Sequence, residues 1–151
     1  MKTVELVIDD CAVWRSEVRE TPQADVSKGV TDSYDAAPLF AVIRDLQQEA
    51  FAVLALDGAN KPKGPAKIIT LGLLNQNQAH PREVFAAAVA DRAAAIIVAH
   101  NHPSGTLKAS AEDIALTKRL VKAGEILGIP VLDHIILAAG SHYSLKQAGA
   151  M

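Results

Sequence analysis

The sequence predicts a mixed α/β fold (α+β) built around one hydrophobic core. Apolar runs typical of buried strands alternate with segments of helical periodicity, and 151 residues is an ordinary length for one domain. Half of the residues are hydrophobic, so the chain can bury a core without disulfides or a structural metal. We therefore expect any metal site in this sequence to serve function rather than to stabilise the fold.

Three segments have apolar residues at a spacing of three or four and are predicted helices. They are residues 35–46, 81–90 and 111–127. Asp32 or Ser33 is placed to cap the first helix, and Pro81 occupies the first turn of the second. Gly128 is expected to end the third helix, which has the clearest apolar stripe.

Five shorter apolar segments, bounded by turn residues, are predicted strands. They are residues 49–56, 66–71, 94–99, 129–138 and 143–145. The turn signal Asp57-Gly58 follows the first strand directly. The third has the composition of an interior strand and leads into His100. Polar loops are predicted over residues 75–80 and 101–109.

The first 33 residues are predicted to lie apart from the main domain. Residues 4–8 and 12–18 could form short strands, and residues 20–33 are polar, as in a loop or an extended arm. The expected organisation is an N-terminal arm over residues 1–33 and one domain over residues 34–151.

The charge balance gives no sign of a nucleic-acid partner, because the formal net charge is -2 and the basic residues are scattered. The densest basic group, Lys61, Lys63 and Lys67, is interpreted as a solvated surface rather than a phosphate site. The single cysteine, Cys11, excludes a disulfide within these residues and fits a reducing compartment. No run resembles a signal peptide or a membrane span, so we expect a cytoplasmic protein without membrane association.

The strongest chemical signal is a His-x-His pair followed by Ser-x-x-Asp. His100 and His102 come at the end of a predicted strand, where residues two apart point the same way and both rings can face one ion. Asp113 lies at the start of the next helix, in line with the inward stripe that includes Leu116. Two imidazoles and one carboxylate can hold zinc and leave a fourth position for water, which is the arrangement that hydrolysis needs.

Each part of this pattern also has a structural interpretation. Ser110 and Asp113 match a capping box, which is the commoner meaning of Ser-x-x-Asp before an apolar helix. His80 either shapes its loop or approaches the site. His134 is interpreted first as a buried partner of the preceding aspartate, and otherwise as a ligand or as a residue that orients a ligand through its other ring nitrogen. His142 is expected at the surface.

The string His100-x-His102-x7-Ser110-x2-Asp113 resembles the JAMM signature of JAB/MPN metalloproteases. Residues 100–105, His-Asn-His-Pro-Ser-Gly, are typical of the RadC family within that group. Supporting motifs occur in family order between residues 38 and 149: Glu49-Ala50-Phe51, Gly72, His80-Pro81-Arg82-Glu83-Val84-Phe85, Asp133-His134-Ile135-Ile136 and Tyr143-Ser144. The resemblance implies a JAB/MPN, cytidine-deaminase-like fold, in which helices flank a curved mixed β-sheet.

The resemblance also implies residue roles. One zinc ion per chain would be held by His100, His102 and Asp113. Ser110 would position the water or stabilise the oxyanion of a tetrahedral intermediate. A glutamate from an earlier strand would act as general base and then as general acid.

By local match that glutamate is Glu49, which we expect to be buried near Phe51. Glu83 is the rival, although its position in a first helical turn also suits a favourable dipole interaction.

The implied function is hydrolysis of peptide or isopeptide bonds, with an unidentified protein or peptide as substrate. The alternatives are a non-catalytic MPN scaffold and a DNA-repair-associated metal-dependent nuclease. Scaffolds of this group typically lack the ligands, and the nuclease is disfavoured because the chain has no basic stripe and only 4% aromatic residues. Residues 1–33 do not resemble the helix-hairpin-helix region of longer RadC proteins, and Ala109 replaces the proline that usually precedes Ser110.

Overall fold

The structure, a computed structural model, describes residues 27–72 and 79–151. The predicted short strands over residues 4–8 and 12–18, Cys11, and most of the predicted loop over residues 75–80 lie outside the described residues.

One five-stranded sheet forms the centre of the described chain, with strand order β2-β1-β3-β4-β5. The strands are β1 (Ala50–Leu56), β2 (Lys67–Leu71), β3 (Ala95–Asn101), β4 (Val131–Ala138) and β5 (Ser141–Ser144). The pairing of β3 with β4 is parallel and the other three pairings are antiparallel. The mixed α/β class is confirmed, although β3 continues beyond the predicted end through His100 to Asn101.

Helical segments flank this sheet: α1 (Ser33–Ala36), a 3₁₀ turn (Ala37–Phe40), α2 (Ala41–Arg44), α3 (Pro81–Ala90) and α4 (Ala111–Leu127). The prediction of one continuous helix over residues 35–46 was wrong. Pro38 lies in the 3₁₀ turn, since proline lacks an N–H and its ring clashes with the carbonyl four residues earlier in a regular α-helix. Asp32 is the N-cap of α1, where its Oδ1 accepts from Tyr34 N at 2.8 Å and Asp35 N at 3.0 Å.

Two apolar layers cover the two faces of the sheet. Successive side chains of a strand point to opposite faces, so Ala52 and Leu54 of β1 pack with the helical run that contains Phe40, whereas Phe51 and Val53 pack with α3 and α4. Phe40 is fully buried, and burial of such a side chain contributes roughly 1.5–3 kcal/mol. The face covered by α3 and α4 carries the candidate site.

The ends of α3 and α4 follow their capping signals. His80 is the N-cap of α3, with Nδ1 accepting from Arg82 N at 3.2 Å, so His80 has the loop-shaping position. Gly128 ends α4 with a φ of 69°, a left-handed conformation that glycine adopts without strain.

The basic group Lys61, Lys63 and Lys67 is exposed, in agreement with a solvated surface. Lys67 lies in β2, and its Nζ is 2.6 Å from Asp91 Oδ1. Within residues 27–72 and 79–151, no helix has the length and apolar character needed to cross a bilayer.

Candidate metal centre

The end of β3 and the start of α4 bring His100, His102 and Asp113 together. The Nε2 atoms of the two histidines are 2.8 Å apart. Asp113 Oδ1 lies 3.2 Å from His100 Nε2, and Asp113 Oδ2 lies 3.6 Å from His102 Nε2. The three side chains each offer one ligand atom within 4.8 Å of the others, so the structure places all three predicted ligands around one point.

The hydrogen bonds around this point suit a cation. His102 Nδ1 lies 2.6 Å from the carbonyl oxygen of Thr106. Because a carbonyl only accepts, Nδ1 carries the proton, and a neutral His102 directs the lone pair of Nε2 towards His100 and Asp113. Two imidazole nitrogens and one carboxylate form a donor set that zinc prefers. These residues therefore fit a zinc ion by their chemistry.

In the metal-free chain a proton can occupy the place of the cation. The interaction with the nearby Asp113 carboxylate raises the pKa of His102 above its ordinary value, despite the opposing effect of burial. Burial alone would raise the pKa of Asp113, but the neighbouring rings of His100 and His102 hold that pKa well below its usual range. The two shifts describe one interaction, a carboxylate that stays charged beside a protonated imidazole.

Ser110 and Asp113 form the predicted capping box. Ser110 Oγ accepts from Asp113 N at 3.0 Å, and Asp113 Oδ2 accepts from Ser110 N at 2.7 Å. The structural interpretation of Ser-x-x-Asp is thus confirmed. The same bonds fix the orientation of the Asp113 carboxylate at the metal centre, so capping and ligand placement are compatible.

Glu49 lies in the same cleft as the three candidate ligands, whereas Glu83 does not line it. Phe51 of β1 is opposite His100 of β3, and continuing this antiparallel register places Glu49 opposite His102. Glu49 is exposed, so the expectation that it is buried near Phe51 was wrong. It precedes the first residue of β1 and lies at the open end of the sheet.

Glu83 has a different environment on α3. Its Oε1 lies 3.3 Å from Nε of the adjacent Arg82, and both side chains are largely exposed. The location of Glu49 favours it over Glu83 as the candidate base, and the role itself stays a prediction.

The cleft has a volume of about 1010 Å³ and a mixed lining. The titratable residues that line it are Glu49, His100, His102, Lys108, Glu112 and Asp113. In the part of the chain that the structure describes, three carboxylates and one ammonium group thus line the cleft.

Comparison with known protein families agrees with this geometry. The RadC-like JAB domain profile matches residues 30–150, which is most of the chain. The chain belongs to the RadC-like JAB domain family. A UPF0758 protein of Pelobacter propionicus is 50% identical over 109 residues, covering 72% of this chain and 47% of that protein. A UPF0758 protein of Methanospirillum hungatei is 53% identical over 102 residues, covering 68% of this chain and 45% of that protein. A UPF0758 protein of Synechocystis is 46% identical over 125 residues, covering 81% of this chain and 51% of that protein.

This RadC-like JAB domain chain spans about half the length of the curated relatives it matches. The relationship confirms the family suggested by the sequence motifs, and the five-stranded mixed sheet flanked by helices is consistent with a JAB/MPN fold. The names of these relatives describe no activity.

Asn101 was predicted to begin a polar loop and was given no role of its own at the site, but in the structure it ends β3 and supports the segment that carries Glu49. It is 1% exposed, and because it follows His100 within β3, its side chain points to the other face of the sheet. Its Oδ1 accepts from Ala50 N at 2.6 Å, and its Nδ2 donates to Leu46 O at 3.1 Å and Gln48 O at 3.0 Å. These three bonds bracket Glu49 and tie its segment to the strand that carries the histidines.

His134 is fully buried, as expected, but its ring does not contact the carboxylate of Asp133 within the described contacts. That carboxylate accepts from Ser144 Oγ at 2.6 Å and from the backbone N–H groups of His134 and Lys146. The His134 ring instead contacts His100 and Thr117. Burial, together with the nearby His100, holds the pKa of His134 well below its usual value, so this ring is neutral.

His142 was expected at the surface but is half-buried. Its Nε2 lies 3.0 Å from Ser33 Oγ, and its ring contacts Tyr34 edge-on at 4.8 Å between centroids. It lies on β5, at the opposite edge of the sheet from β2.

The raised pKa of His102 predicts a pH dependence for the metal-free protein. Protonated His102 contributes stability that is fully present below its ordinary pKa of 6.5 and is lost as the pH rises through the folded-state pKa. In chelator, the difference in free energy of unfolding between wild type and His102→Gln should therefore shrink as the pH rises, measured by urea denaturation.

With zinc present, the stability difference between wild type and His102→Gln should instead grow as the pH rises. Zinc binds the unprotonated ring, so the affinity of the site for zinc increases with pH. A difference between wild type and His102→Gln that stays constant across the same pH range in chelator would contradict the assigned His102–Asp113 interaction.

Proposed function

We propose that this RadC-like JAB domain is a zinc-dependent hydrolase of peptide or isopeptide bonds. The observation that carries the proposal is the convergence of His100, His102 and Asp113 in a cleft that Glu49 also lines. The three converging residues would hold one zinc ion. When bound there, zinc supplies Lewis-acid polarisation of a carbonyl and lowers the pKa of water.

Glu49 is the proposed proton carrier. It is exposed to the cleft and lies opposite His102 by the register of β1 and β3. Its carboxylate takes a proton from the attacking water and returns it to the leaving amine, as general base and then general acid.

Ser110 supports the reaction from the start of α4. Its Oγ accepts the Asp113 N–H, and among the described contacts its own hydrogen has no acceptor. Because a serine hydroxyl is both donor and acceptor, that hydrogen can donate to a developing oxyanion in the cleft.

The cleft favours a protein or peptide substrate over a nucleic acid. Among residues 27–72 and 79–151, the cleft is lined by three carboxylates, those of Glu49, Glu112 and Asp113, and by a single ammonium group, that of Lys108. A nuclease contacts phosphates through basic residues, which this lining does not supply in excess. A scaffold role does not account for a complete ligand set beside an accessible carboxylate.

The test is a hydrolysis screen of the purified chain with peptide and isopeptide substrates. We expect cleavage that a zinc chelator abolishes and that added zinc restores. Failure of the zinc-loaded chain to cleave any substrate would favour a scaffold, and chelator-sensitive degradation of plasmid DNA that survives Glu49→Gln would favour a nuclease with another base.

A further inference from the structure

A chain of buried hydrogen bonds leads from α4 through β4 to the metal centre. Thr117 Oγ1 lies 2.7 Å from the carbonyl oxygen of Asp113 and 2.6 Å from His134 Nδ1. His134 Nε2 lies 2.7 Å from His100 Nδ1. Thr117 and His134 are 0% exposed and His100 is 6% exposed, so water does not compete for these bonds.

The direction of each hydrogen bond follows from one obligate acceptor. The carbonyl of Asp113 can only accept, so the single hydroxyl hydrogen of Thr117 is donated to it. Thr117 Oγ1 must then accept from His134, which places the His134 proton on Nδ1. A neutral His134 with its proton on Nδ1 presents Nε2 as an acceptor, and His100 therefore donates to it from Nδ1.

The surroundings of His134 support a neutral ring. An imidazolium would need two acceptors, but the second ring nitrogen faces a histidine rather than a carboxylate. The nearest acid in sequence, Asp133, is already bonded to Ser144 and to two backbone N–H groups. A buried charge without a partner is costly, which disfavours the protonated form.

We propose that Thr117, acting through His134, is the positioning residue that keeps the proton of His100 on Nδ1 and so directs the Nε2 lone pair of His100 at the metal centre. Thr117 also bonds the backbone of Asp113, another candidate ligand, so one hydroxyl links two parts of the site. The functional consequence for zinc rests on the proposed function. The predicted proton positions are those of the metal-free chain, so they do not depend on the proposed hydrolase function.

Thr117→Val removes the acceptor while keeping the side-chain shape. The proton of His134 is then no longer held on Nδ1, and the form protonated on Nε2 becomes populated. That form donates to His100 Nδ1 and moves the His100 proton to Nε2, where it blocks the ligand position. We expect a 10–100-fold loss of zinc affinity for Thr117→Val, with affinity near that of wild type for Thr117→Ser, which keeps the hydroxyl.

The test combines two measurements on the full chain. Heteronuclear NMR of the side-chain nitrogen atoms, in chelator at mildly alkaline pH, should show His100 and His134 of the wild type protonated on Nδ1, and His134 not protonated on Nε2. Competition with a chromogenic chelator then gives the zinc affinity of wild type, Thr117→Val and Thr117→Ser.

A wild-type His134 protonated on Nε2, or a wild-type His100 without a proton on Nδ1, would overturn the proposal, even if no variant folds. Unchanged zinc affinity in a folded Thr117→Val variant would also overturn it. The predicted proton positions and affinities in a chain that cleaves no substrate would uphold this inference and count only against the proposed hydrolase function.

Discussion

Replacing Glu49 with glutamine is expected to lower the hydrolysis rate by about 10²–10⁴-fold while the zinc content stays unchanged. Glutamine keeps the size of the side chain but cannot take up a proton at neutral pH. Glu49 lines the cleft beside the candidate ligands without belonging to the group that converges on one point. The measurement is kcat with zinc-loaded enzyme, together with zinc per chain for both proteins.

Glu83→Gln is the matched control, because it makes the same chemical change at the rival position. Glu83 is exposed, pairs with Arg82 and does not line the cleft, so its replacement should leave kcat near the wild-type value. A large loss in Glu83→Gln with full activity in Glu49→Gln would reverse the assignment. Loss of zinc in Glu49→Gln would show that Glu49 is a ligand instead.

Replacing Asn101 with alanine should lower the free energy of unfolding by about 3 kcal/mol. The change leaves the buried N–H of Ala50 without its acceptor and frees the carbonyls of Leu46 and Gln48, and each buried group that loses its partner costs about 1–3 kcal/mol. Since those bonds bracket Glu49, kcat should fall as well, while zinc content remains. Urea denaturation and zinc analysis measure the two effects.

Gln47→Ala is the control for this prediction, because it removes an exposed amide from the same segment. Gln47→Ala should change the free energy of unfolding by no more than about 0.5 kcal/mol. Equal stability losses in Asn101→Ala and Gln47→Ala would show that the three Asn101 bonds do not hold the segment.

The parts of the fold that depend on local sequence were predictable. The bounds of α4 follow from its apolar stripe, from the Ser110 cap and from Gly128, all of which lie within or next to the helix. The five strands follow from apolar runs. The break at Pro38 follows from the same kind of local chemistry, although the apolar spacing of residues 35–46 by itself favours one continuous helix.

The supporting bonds of the site were not predictable from one sequence, because they join distant residues. Asn101 bonds residues 51 to 55 positions away, and Thr117 bonds a histidine 17 positions away. Neither pairing has a periodic signature. The ligand set was accessible because His100, His102 and Asp113 are close in sequence, with the two histidines on one side of a strand end.

The exposure of Glu49 was likewise not predictable from the sequence. Its apolar neighbours after residue 49 suggested burial, but the sequence does not say where a strand begins to pair. In the structure β1 starts at Ala50, and Glu49 is left at the mouth of the cleft.

Elemental analysis of the purified protein beside His102→Ala and Glu49→Gln tests the metal centre most directly. Three protein ligands define one site, so the wild type and Glu49→Gln should each contain about one zinc ion per chain, and His102→Ala should lose it. Absence of zinc from the wild type after reconstitution, or full retention of zinc in His102→Ala, would contradict a zinc centre built from His100, His102 and Asp113.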